Sequence, residues 1–286
     1  MASATYTVNC SIMLTDLPVL ERPAAAKKAG FEAVEFWWPF VGSTPPDRDV
    51  DAFIRAIRDA GVQLSGLNFA AGDMPAGDRG ILSDPQQMTA FRDSVQVAVG
   101  IGEALGTRAF NALYGNRIES LSATYQDDVA TENLGYAAQA AQRIGAMVLI
   151  EAVSGAPHYP VKTAADAIQI IERVRVHAGR ANLRMLADVY HLQVNGDDVA
   201  GALRAHADQV GHVQIADAPG RGEPGTGDIA FGDYLSILLD QGYSDYIGLE
   251  YKPTRADTFD WLPQADRGRG GVNIESFATL AGTGNQ

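Results

Sequence analysis

The amino-acid sequence predicts a single-domain α/β fold, a (β/α)8 TIM barrel with eight parallel strands. Short apolar segments with strand character recur eight times along the 286 residues and alternate with helix-like segments, without a break in composition. Most helix-like segments end at a glycine, which closes helices well because it readily adopts left-handed backbone angles. A doubly wound open sheet is the alternative. It would usually have a glycine-rich turn after its first strand, and residues 10–16 contain no glycine.

The predicted elements follow one another in a regular order. The strands span residues 5–13, 33–38, 63–68, 108–114, 147–153, 183–189, 210–216 and 246–251. The helices span residues 18–29, 48–60, 85–105, 120–144, 163–177, 198–207 and 233–241. Strands and helices that alternate in this way are joined by right-handed crossovers, and the strands lie parallel. We predict one domain over residues 1–286, with a polar, loop-like tail from about residue 253 and a last helix at 274–281.

Composition excludes several classes of partner. The net charge of −13 opposes binding to nucleic acid or to anionic membranes, which carry the same sign. The apolar runs are too short to span a membrane, and the N-terminus lacks the pattern of a secretion signal. Cys10 is the only cysteine, so an internal disulfide is impossible and a reducing compartment is expected. We therefore predict a cytoplasmic protein with a small-molecule substrate, and leave a homo-oligomer open.

Three acidic residues lie at the ends of predicted strands, where the active site of such a barrel is found. Glu151, Asp188 and Glu250 end strands five, six and eight among apolar residues, and Gln214 lies on strand seven. Any one acid alone could be a paired structural charge, but like charges held together take up protons or bind a cation. Three carboxylates and an amide oxygen form a hard ligand set suited to Mg²⁺ or Mn²⁺. Zn²⁺ would usually recruit more histidine or cysteine.

Other polar residues near the strand ends are candidates for contact with a substrate. His191 follows the sixth strand, and a histidine in a surface loop is the alternative interpretation. Lys252 has the same strand parity as the acid of strand eight, so it could hold an anionic group or only neutralise that acid. Asn68 and Asn111 end strands three and four among apolar neighbours and could contact substrate hydroxyl groups.

A glycine-rich loop, residues 217–227, follows the seventh strand. It contains four glycines and two prolines, which is typical either of a flexible surface turn or of a shaped loop that brings Arg221 and Glu223 to a ligand. We favour the shaped loop because three other strands end in carboxylates. His212 shares a strand face with Gln214 and is expected to be a hydrogen-bonded core histidine.

With these residues assembled, the chain is similar to the hydroxypyruvate isomerase family. That family lies within the wider xylose isomerase-like group of barrels, which includes ketose 3-epimerases and endonuclease IV-type enzymes. The similar stretches cover nearly the whole barrel: VEFWWPF at 34–40, NFAAGDMPAGDRGI at 68–81, LIEAV at 149–153, ADVYHLQ at 187–193, HVQIADAPGRGEPGTGDI at 212–229 and GLEYKP at 248–253.

The resemblance implies a site and a reaction. It implies a divalent metal, Mg²⁺ or Mn²⁺, held by Glu151, Asp188, Gln214 and Glu250. Glu151 and Glu250 would also act as the acid/base pair, with His191 and Arg221 in contact with the substrate. The implied reaction interconverts hydroxypyruvate and tartronate semialdehyde through an enediolate, and Arg221 or Lys252 would pair with the substrate carboxylate.

Three other functions remain as alternatives. A related acid-sugar isomerase, acting on a 2-oxo-tetronate, or a ketose 3-epimerase would use the same metal and glutamates. An endonuclease IV-like DNA-repair enzyme would need several metals, more inward histidines and a basic face, whereas this chain has five histidines and a net charge of −13. A non-catalytic sugar-acid sensor would have no need to keep both glutamates.

Overall fold

Eight parallel strands close into a barrel in the computed structural model, which describes residues 4–268, 271–275 and 277. Each strand pairs with its neighbours in sequence, and β8 pairs with β1 to close the sheet. The strands are β1 Thr5–Asn9, β2 Ala33–Phe36, β3 Gln63–Asn68, β4 Ala109–Asn111, β5 Met147–Glu151, β6 Leu183–Asp188, β7 Val210–Ile215 and β8 Tyr246–Leu249. The predicted (β/α)8 barrel in one domain is confirmed.

The described helices surround the barrel. They are α1 Arg22–Lys28, α2 Asp47–Ala60, α3 Met88–Leu105, α4 Ala123–Gln142, α5 Ala164–Ala178, α6 Val189–Val194, α7 Val199–His206 and α8 Phe231–Asp240. Gly61, Gly106 and Gly179 follow α2, α3 and α5 in the left-handed conformation, as the sequence predicts. None of the described helices has the length and apolar character needed to cross a membrane.

Most strands end earlier than predicted. The first ends at Asn9 rather than residue 13, and the fourth at Asn111 rather than residue 114. The apolar residues beyond these ends, such as Cys10, Ala112 and Tyr114, are still fully buried. Apolar character therefore continues past the last ladder hydrogen bond, because the loops above the barrel are packed rather than solvated. The residues wrongly predicted as strand lie at the carboxyl ends of the strands, where the polar side chains are also found.

The short helix α6 is absent from the prediction, which treats the region after the sixth strand as a loop. Asp188 ends β6 and caps α6, since its Oδ1 accepts a hydrogen bond of 3.0 Å from the backbone N–H of His191. One turn of helix brings the His191 ring back over the strand that it follows. Asp188, which the sequence indicates only as a site residue, therefore also stabilises the start of α6.

The segment after β8 packs against the barrel near β1. It is irregular up to residue 268 apart from a single 3-10 turn, Gln264–Asp266. Its apolar residues are nevertheless buried: Phe259 lies 4.7 Å from Phe31, and Trp261 lies 6.3 Å from Tyr6 on β1, measured between ring centroids. This segment therefore covers the seam near β1. The predicted helix at 274–281 falls mostly outside the described residues.

On β4, β5 and β6 the interior of the barrel has an apolar layer below a polar layer. Ala109, Leu149 and Leu186 form a small buried cluster. Two residues further along each strand, on the same face, are Asn111, Glu151 and Asp188. The alternation of a strand thus sets an apolar floor below a set of polar side chains at the carboxyl ends.

Candidate active site

Three buried carboxylates meet at the carboxyl ends of the strands. Glu151 is the last residue of β5, Asp188 is the last residue of β6, and Glu250 follows β8 directly. Each is at most 5% exposed. Glu151, Asp188 and His191 offer possible metal-ligand atoms that all lie within 4.8 Å of one another. Of the residues expected to converge from strand position, Glu151 and Asp188 therefore lie in one cluster.

Burial and mutual repulsion dominate the electrostatics of these acids. Burial and, to a lesser extent, the charge of Asp188 raise the pKa of Glu151, while Asn111, whose Nδ2 donates to Glu151 Oε2 at 2.7 Å, opposes the rise; the net pKa is about 8. The pKa of Glu250 is also well above its ordinary value, because burial and the charges of Glu151 and Asp188 outweigh the lowering effect of Arg221. The cluster therefore favours protonation or a bound cation over three bare negative charges.

Arg221 is the cation that the protein itself supplies. Its Nη2 donates to Glu250 Oε1 and lies 3.8 Å from Asp188 Oδ2. The guanidinium also lies over the Tyr190 ring, 5.4 Å from its centroid. Arg221 has a left-handed φ of 61°, which is uncommon for a residue with a side chain. The loop thus holds Arg221 in an unusual conformation that points its side chain into the site.

Asp217 organises the loop that carries Arg221. Its buried carboxylate accepts hydrogen bonds of 2.8–3.1 Å from the backbone N–H groups of Gly225, Gly227 and Ile229. The loop is therefore shaped rather than free, as favoured from the sequence. Glu223, however, does not reach the acids: it is fully buried and binds Thr254 Oγ1 at 2.7 Å and Arg255 Nε at 3.1 Å. Glu223 fastens the loop to the segment after β8.

The hydrogen bonds of His191 determine which of its nitrogens carries a proton. Nδ1 accepts a hydrogen bond of 3.0 Å from the backbone N–H of Ser154. Burial lowers the pKa of the ring to about 4, with Arg221 also lowering it and Asp188 opposing, so the ring is neutral near pH 7. A neutral ring whose Nδ1 is an acceptor has its proton on Nε2. That Nε2–H lies 3.7 Å from Asp188 Oδ2 and 3.9 Å from Glu151 Oε1, and is available as a donor.

The remaining predicted substrate residues differ in position. Asn111 contacts Glu151 directly. Asn68 is buried at the end of β3 and pairs with Asn111 in the strand register. Lys252 is exposed, and its backbone N–H donates to the carbonyl of Arg221 at 2.7 Å. The described contacts therefore bring the asparagines to the cluster but leave the Lys252 side chain at the surface.

Below the acids lies a hydrogen-bond network that the sequence analysis did not assign. Glu35 accepts from His212 Nε2 at 2.6 Å, from Gln214 Nε2 at 2.6 Å and from Asn9 Nδ2 at 3.1 Å. Asn9 Nδ2 also donates to Glu250 Oε2 at 2.9 Å. Burial lowers the pKa of His212, but the adjacent Glu35 carboxylate raises it more, and the net effect is a raised pKa. His212 is thus a hydrogen-bonded core histidine, as expected.

The residues present fit a hard divalent cation. Arg221 balances one of the three negative charges of the acid cluster, and a divalent cation would balance the other two. Gln214 Oε1 is buried and has no hydrogen-bond partner among the described residues, so it is open to act as a ligand. Glu151, Asp188, Gln214 and Glu250 would then supply an all-oxygen set. His191 is better suited to donate a hydrogen bond, since a ligating nitrogen must lack its proton.

A closed parallel barrel with a buried acid cluster at the carboxyl ends of its strands places the chain among the TIM-barrel enzymes. The chain belongs to the xylose isomerase-like TIM barrel family, whose family model matches residues 23–268. The predicted resemblance at this wider level is confirmed.

Individual relatives support an isomerase. The chain is 49% identical to a putative hydroxypyruvate isomerase of Streptomyces coelicolor, over 93% of this chain and 98% of that protein. It is 31% identical to hydroxypyruvate isomerase of Escherichia coli, over 87% and 93%, respectively. It is 33% identical to 2-oxo-tetronate isomerase of Cupriavidus necator, over 90% and 96%. A crystal structure named AP endonuclease, family 2, from Brucella melitensis superimposes with a TM-score of 0.81 and 30% identity, over 90% of this chain and 97% of that one.

Proposed function

We propose that this protein is a metal-dependent aldose-ketose isomerase that interconverts hydroxypyruvate and tartronate semialdehyde. The observation that carries the proposal is the meeting of Glu151, Asp188 and Glu250 with Arg221 at the carboxyl end of the barrel. Acids suited to proton transfer and a cation suited to a carboxylate lie in one buried site. The identity to hydroxypyruvate isomerases, over nearly the full length of both chains, supports the same reaction.

The proposed cofactor is Mg²⁺ or Mn²⁺, held by the acids and Gln214. When bound, the cation would polarise the substrate carbonyl and favour the negative charge that develops on oxygen during the reaction. The ligand set is made only of oxygen atoms, which suits either of these hard cations better than Zn²⁺.

Glu151 and Glu250 are proposed to move the carbon-bound proton. One carboxylate takes a proton from the hydroxymethyl carbon of hydroxypyruvate, which leaves an enediolate. A proton returned to the neighbouring carbon, while the hydroxyl proton passes from one oxygen to the other, gives tartronate semialdehyde with no net gain or loss of atoms. The two glutamates project from β5 and from the end of β8, and the charge of Glu151 helps to raise the pKa of Glu250. Both can therefore reach one small substrate.

The other side chains are proposed to bind and orient the substrate. Arg221 has donors beyond those used for Glu250, and its planar guanidinium suits a bidentate contact with the substrate carboxylate. His191 donates from Nε2 to a substrate oxygen, which helps to hold charge or pass the hydroxyl proton. Asn68 and Asn111 are the last residues of β3 and β4, where they can contact hydroxyl groups. Lys252 at the surface remains a second candidate for attracting the carboxylate.

Purified protein assayed against hydroxypyruvate and a small panel of ketoses tests the proposal. The assay is run with Mg²⁺, with Mn²⁺, and after exhaustive removal of metal by a chelator. We expect isomerisation of hydroxypyruvate that depends on the added cation. Full activity without metal, verified by elemental analysis, would contradict the metal dependence. Absence of turnover on hydroxypyruvate together with rapid turnover of another substrate would contradict the assignment of the reaction.

A 2-oxo-tetronate isomerase is the second candidate, favoured by the relative in Cupriavidus necator. The same residues would transfer the proton in both candidates. The two candidates differ only in whether the site has space for one more hydroxylated carbon of the substrate. The ratio of kcat/KM for a 2-oxo-tetronate and for hydroxypyruvate decides between them. The endonuclease in the name of the Brucella melitensis structure is not carried over, because a net charge of −13 opposes binding to DNA.

A further inference from the structure

The side-chain amide of Gln214 has one atom bound and one atom without a partner. Its Nε2 donates to Glu35 Oε1 at 2.6 Å. Its Oε1 is buried and has no hydrogen-bond partner among the described residues. An ionised carboxylate accepts hydrogen bonds and donates none, so the nitrogen of the amide has to face Glu35. Because the amide is planar, the oxygen is then turned away from Glu35.

The barrel interior is shaped around this pair. Two glycines lie next to the Glu35 side chain: Gly66 on β3 and Gly248 on β8. A Cβ atom added at Gly248 would lie 2.7 Å from Glu35 Oε1 and 2.9 Å from Gln214 Cγ, both too close. One added at Gly66 would lie 3.6 Å from Glu35 Cβ, an ordinary contact. The absence of a side chain at Gly248 therefore leaves the room in which Glu35 and Gln214 meet.

Gln214 lies next to an acid of the cluster in the strand ladder. Gln214 and Asp188 are paired in the ladder between β6 and β7, and both side chains point into the barrel. The nitrogen of Gln214 is directed across the barrel to Glu35 on β2. The oxygen is the remaining acceptor of this amide, and it would be the one neutral ligand beside the acids.

We propose that Glu35 is a positioning residue that sets the polarity of the Gln214 amide, so that its oxygen and not its nitrogen faces the cation. This inference rests on the proposed function, because it takes the cation site as given. An amide turned the other way would direct N–H donors at a positive charge and weaken its binding. Residues that hold a metal ligand in place commonly change metal affinity by roughly 10–100-fold when they are replaced.

A buried water is the competing partner for Gln214 Oε1. A cavity of about 10 Å³ lies beside the pair and is lined by Asn68, Asn111 and His212, among others. That volume is close to the least that holds one water molecule. If the oxygen binds such a water and no cation, affinity for a cation will not depend on Glu35.

The affinity for Mn²⁺, measured by calorimetry on metal-depleted protein, tests the inference. We compare the wild type with Glu35→Gln and with the matched control His212→Gln, which changes the contact on the other oxygen of Glu35. In Glu35→Gln the new amide can donate to Gln214 Oε1 and so permits the reversed orientation. We expect its Kd to rise by roughly 10–100-fold, while the Kd of His212→Gln stays near the wild-type value.

The same comparison in a Gln214→Glu background isolates the orientation effect. A carboxylate has oxygen on both branches, so orientation no longer matters, and Glu35→Gln should cause no further loss of affinity there. An unchanged Kd for Glu35→Gln alone, an equal loss in His212→Gln, or an equal loss in both backgrounds would overturn the inference. Thermal melts of the metal-free variants show whether each one folds.

A measurement on the wild type covers the case in which Glu35→Gln does not fold. The side-chain amide of Gln214 is followed by ¹⁵N NMR during titration with Mg²⁺. We expect a change in its shift, with the amide protons protected from exchange before and after saturation. If Mg²⁺ saturates the protein and this resonance does not move, the inference is wrong. If the wild type binds neither cation, the proposed metal dependence itself fails.

Discussion

The backbone N–H of Ser154 donates to Nδ1 of His191, and Ser154 Oγ lies 2.7 Å from the same nitrogen; these two contacts decide what the ring can do in the site. The other ring nitrogen faces Asp188 and Glu151 with its proton in place. The Nε2 of His191 is thereby a hydrogen-bond donor and not a metal ligand, although a histidine beside two acids has the composition of a metal site.

The first prediction concerns this tautomer. Long-range ¹H–¹⁵N NMR should show Nδ1 of His191 unprotonated and Nε2 protonated from about pH 6 to pH 8, because the lowered pKa, about 4, keeps the ring neutral there. The variant Ser154→Ala removes the Oγ contact with Nδ1 but keeps the backbone N–H, and it should therefore keep the tautomer. A ring protonated on Nδ1 would show that the Ser154 contact does not govern His191.

The second prediction concerns metal affinity at Asp188. Asp188→Asn removes one of three negative charges and should raise the Kd for Mn²⁺ sharply, by roughly tenfold or more. Calorimetry with elemental analysis of the loaded protein measures the change. Asp128→Asn is the control, because Asp128 is an exposed acid on α4 outside the site. Equal affinities of the wild type and Asp188→Asn for Mn²⁺ would show that Asp188 is not a metal ligand.

The third prediction separates the two cations proposed for the substrate carboxylate. Arg221→Ala should raise KM for hydroxypyruvate more than for an uncharged ketose of similar size, because the lost contact is with the carboxylate. Lys252→Ala should change KM much less, since its side chain is exposed and its tie to Arg221 is through the backbone. Steady-state kinetics on both substrates give the ratios. Equal losses on both would mean that Arg221 only shapes the loop and holds Glu250.

The fourth prediction concerns proton transfer. Glu151→Gln and Glu250→Gln should each lose on the order of 10²-fold or more in kcat, because an amide cannot accept the proton. The loss should persist at saturating metal, and the double variant should be little worse than either single variant, since the two residues serve one proton path. Near wild-type turnover by either variant, once saturated with metal, would refute the assignment.

Exchange of the hydroxymethyl protons of the substrate with deuterated solvent extends the fourth prediction. Loss of exchange in only one of the two variants identifies the glutamate that abstracts this proton. Continued exchange in both variants would indicate that another group takes it.

The fifth prediction concerns stability and pH at Asp127 on α4, away from the site. Burial raises its pKa, but hydrogen bonds from Tyr114 and Arg117 and the charge of Arg173 lower it more, and the net pKa is below the ordinary 3.8. A folded pKa below the unfolded one stabilises the protein above about pH 3.8, and this stabilisation is lost as pH falls through the folded pKa. Asp127→Asn should therefore lower Tm by on the order of a few degrees at pH 7.

The same deficit should shrink as the pH falls below about 3.8. Differential scanning calorimetry at pH 7 and at a pH below about 3.8 measures the difference in Tm from the wild type. The control is Asp128→Asn, because Asp128 is an exposed neighbour. A Tm deficit for Asp127→Asn that is independent of pH would show that shape, and not charge, is what Asp127 contributes.

The sequence by itself determined the barrel and its acids. Eight alternating segments follow from local periodicity, and the acids at the ends of apolar strands stand out because burying a carboxylate is costly. Strand parity also placed His212 and Gln214 on one inward face, since side chains alternate along a strand. These are properties of short windows of sequence.

Only the tertiary structure decided which atoms meet. Glu35 binds Gln214 across 179 positions of sequence, and Asn9 binds Glu250 across 241 positions. The contact of His191 with Ser154, the ion pair of Glu223 with Arg255 and the packing of Trp261 on Tyr6 also depend on distant partners. Local patterns specify the element in which a residue lies and the face on which it lies. The orientation of an amide or the tautomer of a ring is set by the group opposite it, and closure of the barrel alone brings that group there.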